Sequence, residues 1–168
     1  MISKRKIVEA SRQITAPAGI IFAILANPQR HQDFDGSNML RGSVRDGLIS
    51  KTGDTFTMKM HRLGEDYFMI NHVVDFEQDR RIFWEPAPGD ISRAEGNDAS
   101  KVGIPAGYRW GYILTPESEY VTLVTEIFDY SAVSAELLRD GGSWINGNNS
   151  LIESITASLE KLEKITVR

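Results

Sequence analysis

The sequence predicts an α+β fold in which a sheet of several antiparallel strands wraps a long C-terminal helix, with two short helices after the first strand. Three observations carry this expectation. From Trp144 to Ile165 a one-sided stripe of Ile145, Asn148, Ile152, Ile155, Leu159 and Leu162 advances in steps of three and four, while Glu153, Glu160, Lys161 and Lys164 occupy the opposite face. From Asp54 to Tyr130 the pattern is instead strand after strand, broken by turn residues. Strand and helix patterns do not alternate along the chain, which excludes a parallel nucleotide-binding sheet.

Val8, Ala10 and Ile14 alternate with Glu9, Ser11 and Gln13, the period of a half-buried first strand, with Arg12 on the mostly apolar side. Thr15-Ala16-Pro17 offers a capping hydroxyl and a Pro in a first helical turn, and Ile20, Ile21, Ala23, Ile24 and Leu25 give that helix an apolar face. Asn27-Pro28 repeats the signal, so a second brief helix spans Pro28 to Asp33 before the turn at Asp35-Gly36-Ser37. Strands begin at Met39, with breaks at Asp46-Gly47, Gly53-Asp54, Gly64-Glu65, Gln78-Asp79 and Pro116-Glu117, spacings that suit antiparallel hairpins. Phe56, Met58, Met60 and Arg62 share the inward side of one strand. In the next, Phe68, Ile70, His72, Val74 and Phe76 form the more apolar side. Ile82 with Trp84, then Tyr108, Trp110, Tyr112 and Leu114, then Tyr120 to Tyr130 supply three more strands. Between Pro86 and Gly107 lies a long Gly- and Pro-containing connection of a kind that often carries function. The Gly- and Asn-rich stretch from Asp140 to Asn149 predicts a firm final helix only from Leu151, capped by Ser150 and Glu153, with a hinged flap before it.

At 168 residues the length fits a single domain, 1–168, large enough to bury a core without staples. Hydrophobic residues at 41% and charged residues at 25% place it among globular proteins rather than disordered ones. A net charge of −4 with scattered Lys and Arg gives no positive stripe for a phosphate backbone, so nucleic acid is not an expected partner. The absence of cysteine excludes disulfides and thiolate chemistry and fits a cytoplasmic location. The basic start is not followed by the apolar run of a signal peptide, and no stretch reaches the roughly 20 apolar residues of a membrane span.

Val8-Glu9-Ala10-Ser11-Arg12-Gln13-Ile14-Thr15-Ala16-Pro17, Asn27-Pro28-Gln29-Arg30-His31, Asp35-Gly36-Ser37, Trp110 after the long connection and Ala157-Ser158-Leu159-Glu160-Lys161-Leu162 together resemble the polyketide cyclase/dehydrase and lipid-transport family, of the START-like, birch-pollen-allergen-like superfamily. The resemblance covers nearly the whole chain and implies a helix-grip architecture, a curved antiparallel sheet of about six or seven strands wrapped around the long C-terminal helix and an internal cavity. It also implies a lipid, sterol, polyketide or hormone as ligand, or in some members aromatic cyclisation or dehydration. It identifies a fold and not a substrate.

Of the three histidines, His31, His61 and His72, no pair has metal-site spacing, so neither a metal nor a cofactor is expected. His61 reads as a surface residue, and His72 as either a satisfied core residue or a pocket donor. Arg62, His72, Glu126 and Tyr112 are the candidates for acid–base work. Arg62 either pairs with a polar group of a ligand or reaches solvent past the sheet edge, and Arg12 either does the same or neutralises Glu126 or Asp129. The charges in Arg30 to Asp35 read as an ion pair and an Asx turn. Phe34, Met58, Met60, Trp84, Tyr108, Trp110 and Tyr112 divide between packing and cavity wall, with Arg62, His72, Tyr112 and Asn148 orienting a polar group and Ile152 contributing from the helix. The expected function is binding or transport of a small hydrophobic ligand, with a cyclase or dehydratase in the same cavity as the alternative. A homodimer is left open.

Overall fold

The computed structural model describes residues 6–44, 47–141 and 148–167. The elements run β1 (Ile7–Ile14), α1 (Ala18–Leu25), a 3₁₀ turn (Pro28–Arg30), α2 (His31–Phe34), β2 (Leu40–Ser43), β3 (Thr55–Arg62), β4 (Glu65–Glu77), β5 (Arg81–Pro88), β6 (Arg109–Ser118), β7 (Val121–Asp129), α3 (Ala135–Gly141) and α4 (Asn148–Thr166). Seven antiparallel strands form one sheet in the order β1-β7-β6-β5-β4-β3-β2. Consecutive hairpins build β2 to β7, and only β1 joins out of sequence, on the far side of β7. No helix among the described residues is long and apolar enough to cross a membrane.

Cross-strand register lines the concave face in rows. Val8, Phe128, Trp110, Trp84 and Val73 make one row, and Ala10, Glu126, Tyr112, Ile82 and Phe76 the next. Over these rows α4 lays Leu151, Ile155, Ser158, Leu159 and Leu162, all buried. The helix packs chiefly on β1 and on α2. The turn after α2 fits against it closely: the Gly36 amide donates to Ser158 Oγ at 2.8 Å, and Lys161 Nζ donates to the Asp35 carbonyl at 2.9 Å. Asp35 holds the turn from inside, Oδ1 accepting from the Ser37 amide at 2.9 Å and Oδ2 from the amides of Met39 and Leu40. Asn27 caps the 3₁₀ turn through its side chain, as the Asn-Pro pair predicts.

Several local expectations change. Thr15 makes no cap: Pro17 is the N-cap of α1, and no side chain bonds there. The break at Pro116-Glu117 does not end β6, which bulges and continues to Ser118. α3, begun by the Ser134 hydroxyl accepting from the Leu137 amide, was not foreseen. α4 begins at Asn148, so Ser150 lies inside its first turn and is no cap. The flap expected before it lies, apart from its first two and last two residues, outside the described residues, as does Ile145 of the stripe.

The largest correction concerns β4. Its inward residues are Tyr67, Met69, Asn71 and Val73, set by pairing with Met60, Met58 and Phe56 of β3 and Trp84 of β5, whereas Phe68 is 39% exposed. A β-bulge between Val73 and Asp75 then shifts the period, so that Phe76 does point inward. One inserted residue exchanges the two faces of a strand. The expected inward set was therefore inverted everywhere except at its C-terminal end.

Candidate functional site

The centre of the concave face is aromatic. Trp84 stacks on the His31 ring at 5.3 Å, meets Phe56 edge-on at 5.4 Å and lies 6.1 Å from Tyr112, which Phe34 approaches edge-on at 6.3 Å. These contacts follow from local sequence. Phe34 comes three residues after His31 on one face of α2, and both point to the sheet. His31 is 3% exposed, and its Nε2 bonds the Leu25 carbonyl at 2.7 Å. Burial disfavours the imidazolium and lowers the His31 pKa to about 4, the carbonyl opposing only in part.

Glu126 stands in this apolar wall, 5% exposed. Its row partner Tyr112 stands beside the carboxyl, and Oε2 has no protein partner. Burial pushes the Glu126 pKa up to about 8; the Tyr112 hydroxyl pulls it down and the charge of Asp35 pushes it up further. The same burial, with Glu126 beside it, raises Tyr112 well above a normal phenol. At neutral pH this carboxyl is a neutral acid.

A second group lies where β3 and β4 meet. Arg62 is half-buried near Tyr67 and Tyr108, and Arg93 from the β5–β6 connection sits 3.9 Å above the Tyr67 ring while bonding Glu65 at 3.1 Å. Tyr67, Arg93 and His31 were not singled out from sequence. The spacing of His31 to Phe34 was the available signal for one of them. Tyr67 was hidden by the inverted face, and Arg93 by its place in a loop.

Among the expected residues, Phe34, Met58, Tyr108, Tyr112 and Glu126 are buried on the concave side, and Met60, Trp84 and Trp110 are half-buried there. Four others need correction or qualification. His72 lies on the convex face, its Nε2 bonding the Gly103 carbonyl at 2.9 Å, so it ties down the β5–β6 connection and cannot orient an interior ligand. Ile152 is 41% exposed, because Leu151, not Ile152, shares the buried arc with Ile155, Ser158 and Leu162. Asn148 opens α4, and its side chain lies outside the description. Arg12 neutralises neither Glu126 nor Asp129. It pairs with Glu163 of α4 at 3.0 Å, which clamps helix to sheet. Arg30 pairs with Asp33 at 2.7 Å, the ion pair expected of that segment. The convex face carries a cleft of about 170 Å³ between Glu85, Gly107, Arg109, Asp129, Ser131 and Ala132, smaller than an ordinary small-molecule site. Among the described residues no group of three His, Asp or Glu could hold a metal ion.

With this geometry the chain can be set beside known proteins. A START superfamily protein from Mycobacterium smegmatis matches it with a TM-score of 0.61 over 96% of this chain and 97% of that one, at 12% identity. The chain has the START-like helix-grip fold. The same helix-grip architecture matches the Polyketide_cyc-like protein Cgl2372 of Corynebacterium glutamicum, with a TM-score of 0.56 and 17% identity over 99% of this chain and 92% of that one. It also matches the major latex-like protein 151 of Panax ginseng, with a TM-score of 0.61 and 14% identity over 96% and 97% of the two chains. In sequence, the helix-grip domain is 30% identical over 128 residues to the uncharacterised protein Rv0088 of Mycobacterium tuberculosis, a match covering 76% of this chain and 49% of that protein. The chain thus spans about half the length of the curated relatives it matches. No protein-family model matches it.

Proposed function

We propose that this helix-grip domain binds a small hydrophobic molecule, a lipid or polyketide-like aromatic, between the concave face of the sheet and α4. The observation that carries the reading is the incomplete cover over Met60, Trp84 and Trp110. These large apolar side chains point to the concave side, adjoin the buried core and remain only half-buried. A ligand there would cover apolar surface on both partners, worth about 25 cal/mol per Å² before ordering costs. Met supplies an adaptable wall and Trp a flat one. The test is native mass spectrometry of gently purified protein, followed by solvent extraction. A co-purifying lipid or aromatic is the expected result. Repeated extraction of nothing, with no thermal shift from a panel of apolar compounds, overturns the reading.

A cyclase or dehydratase is the second reading, favoured by the Tyr112–Glu126 pair. A carboxyl held neutral at pH 7 suits proton donation to a substrate oxygen better than proton abstraction. In that case Glu126→Gln abolishes turnover and leaves binding largely intact, whereas in a carrier it alters affinity alone.

A further inference from the structure

Glu126 is the charged-type residue the fold explains least. Its row neighbour on one side is Tyr112, whose hydroxyl acts on the carboxyl, and on the other is Ala10, too small to reach it. Oε2 is left buried, facing the concave side, with no protein partner. Such an atom costs about 1–3 kcal/mol if nothing meets it. Ala10 itself is only half-buried.

No cation is at hand to pair with it. Arg12, one step along the same face of β1, is committed to Glu163 of α4. Lys161 of α4 donates to the Asp35 carbonyl, and α2 presents His31, buried and bonded to Leu25. The one other charged group that acts on the carboxyl, Asp35 after α2, is itself an acid. Buried in an apolar wall, with Asp35 adding to the effect, the carboxyl keeps its proton at neutral pH. Oε2, the oxygen with no protein partner, is then the one from which that hydrogen can be offered to a guest.

We propose that Glu126 Oε2 is the polar anchor of the ligand site, and that the ligand is a neutral hydrophobic molecule presenting a carbonyl oxygen to it, not a carboxylate and not an amine. This deepens the hydrophobic-ligand reading and rests on it. A ligand carbonyl would accept the hydrogen bond that the protein leaves unmade, while a carboxylate would meet two acids in a desolvated wall.

The test uses four naphthalenes of matched shape, 2-ethylnaphthalene, 2-acetylnaphthalene, 2-naphthoate and 2-(aminomethyl)naphthalene, measured by equilibrium dialysis against the full chain at pH 6.5 and pH 9.5. At pH 6.5 the ketone should bind about tenfold tighter than the hydrocarbon, the gain of one buried hydrogen bond, and the carboxylate weakest. At pH 9.5, with Glu126 ionised, the ketone's advantage should vanish. Glu126→Leu should remove the advantage at both pH values. Glu126→Gln, nearly isosteric and carrying permanent N–H donors, should retain it and lose the pH dependence, which guards against a folding defect in the first variant. Equal binding of ketone and hydrocarbon by the unmodified chain overturns the proposal while leaving the hydrophobic site intact. So does tightest binding of the amine or the carboxylate. Failure of all four to bind, the hydrocarbon included, overturns the hydrophobic-ligand reading itself and this proposal with it.

Discussion

Gly36 shows how a single residue sets the distance between layers. A Cβ there would lie 2.6 Å from the Ser158 amide nitrogen and nearer still to the Ser154 carbonyl, both backbone atoms of α4 that cannot swing aside. Gly36→Ala must therefore push the turn off the helix and break the bonds at Ser158 Oγ and the Asp35 carbonyl. A loss of about 1–3 kcal/mol is expected, read as a lowered midpoint in urea. An unchanged midpoint would mean that the turn does not depend on this close approach. Gly111 is constrained in the same way from the convex side, where a Cβ would sit 2.6 Å from the Ile82 carbonyl and would run into the Phe83 ring. The Asp-Gly-Ser signature announced a turn at 35–37, and a turn it is. Its role as the seat of the helix depends on residues more than a hundred positions away, and no local pattern encodes that.

At the scale of elements, α4 and β4 carry the sharpest contrast between pattern and packing. The stripe of threes and fours placed Ile152 inside. Observed burial selects Leu151, because the helix is rolled so that the arc through Leu151, Ile155, Ser158 and Leu162 meets the sheet. Leu151→Ala should cost about 2–5 kcal/mol and Ile152→Ala well under 1 kcal/mol in denaturant unfolding. Equal costs would return the helix to the orientation first read from the stripe. For β4, His72→Ala should loosen the β5–β6 connection, seen as faster amide exchange near Gly103, and leave binding of hydrophobic ligands unchanged. Strand positions, hairpin order and the terminal helix were legible because each rests on local periodicity and turn chemistry. The faces of β4 were not, since the bulge at Val73 to Asp75 leaves no mark in a strand where both sides hold large apolar residues. Of the candidate site, the inward side of β3 and the aromatic side of β6 could be read from clean alternation. The pairing of Glu126 with Tyr112 needed the register, which no single strand contains.

Across the whole molecule, two buried titratable groups bend stability in opposite directions. Glu126 is raised to about 8, so between about 4.5 and 8 the folded chain holds a proton that the unfolded chain releases, and stability falls as pH rises. His31 is lowered to about 4, so between about 4 and 6.5 the unfolded chain takes a proton that the folded chain refuses, and stability falls as pH drops. From about pH 4.5 to 6.5 the two slopes cancel. Above about 6.5 Glu126 acts alone, and stability should fall by about 1.4 kcal/mol per pH unit until about 8. Chemical denaturation across this range checks it: Glu126→Gln should flatten the upper limb, and a slope that survives the substitution would exclude Glu126 as its source. The order of the sheet has a further consequence for synthesis. β1 is synthesised well before β7 and finds that neighbour only after more than a hundred further residues have followed. Until then the opening strand has no hydrogen-bonding mate in this sheet, and the oily row from Val8 onward lacks its wall. Closure of that seam is a late, long-range event, the slow kind in which loop entropy must be spent before contacts return it. A stalled nascent chain ending before Val121 would present a sticky, unmated ribbon, and trigger-type holdases should engage it until the final hairpin arrives.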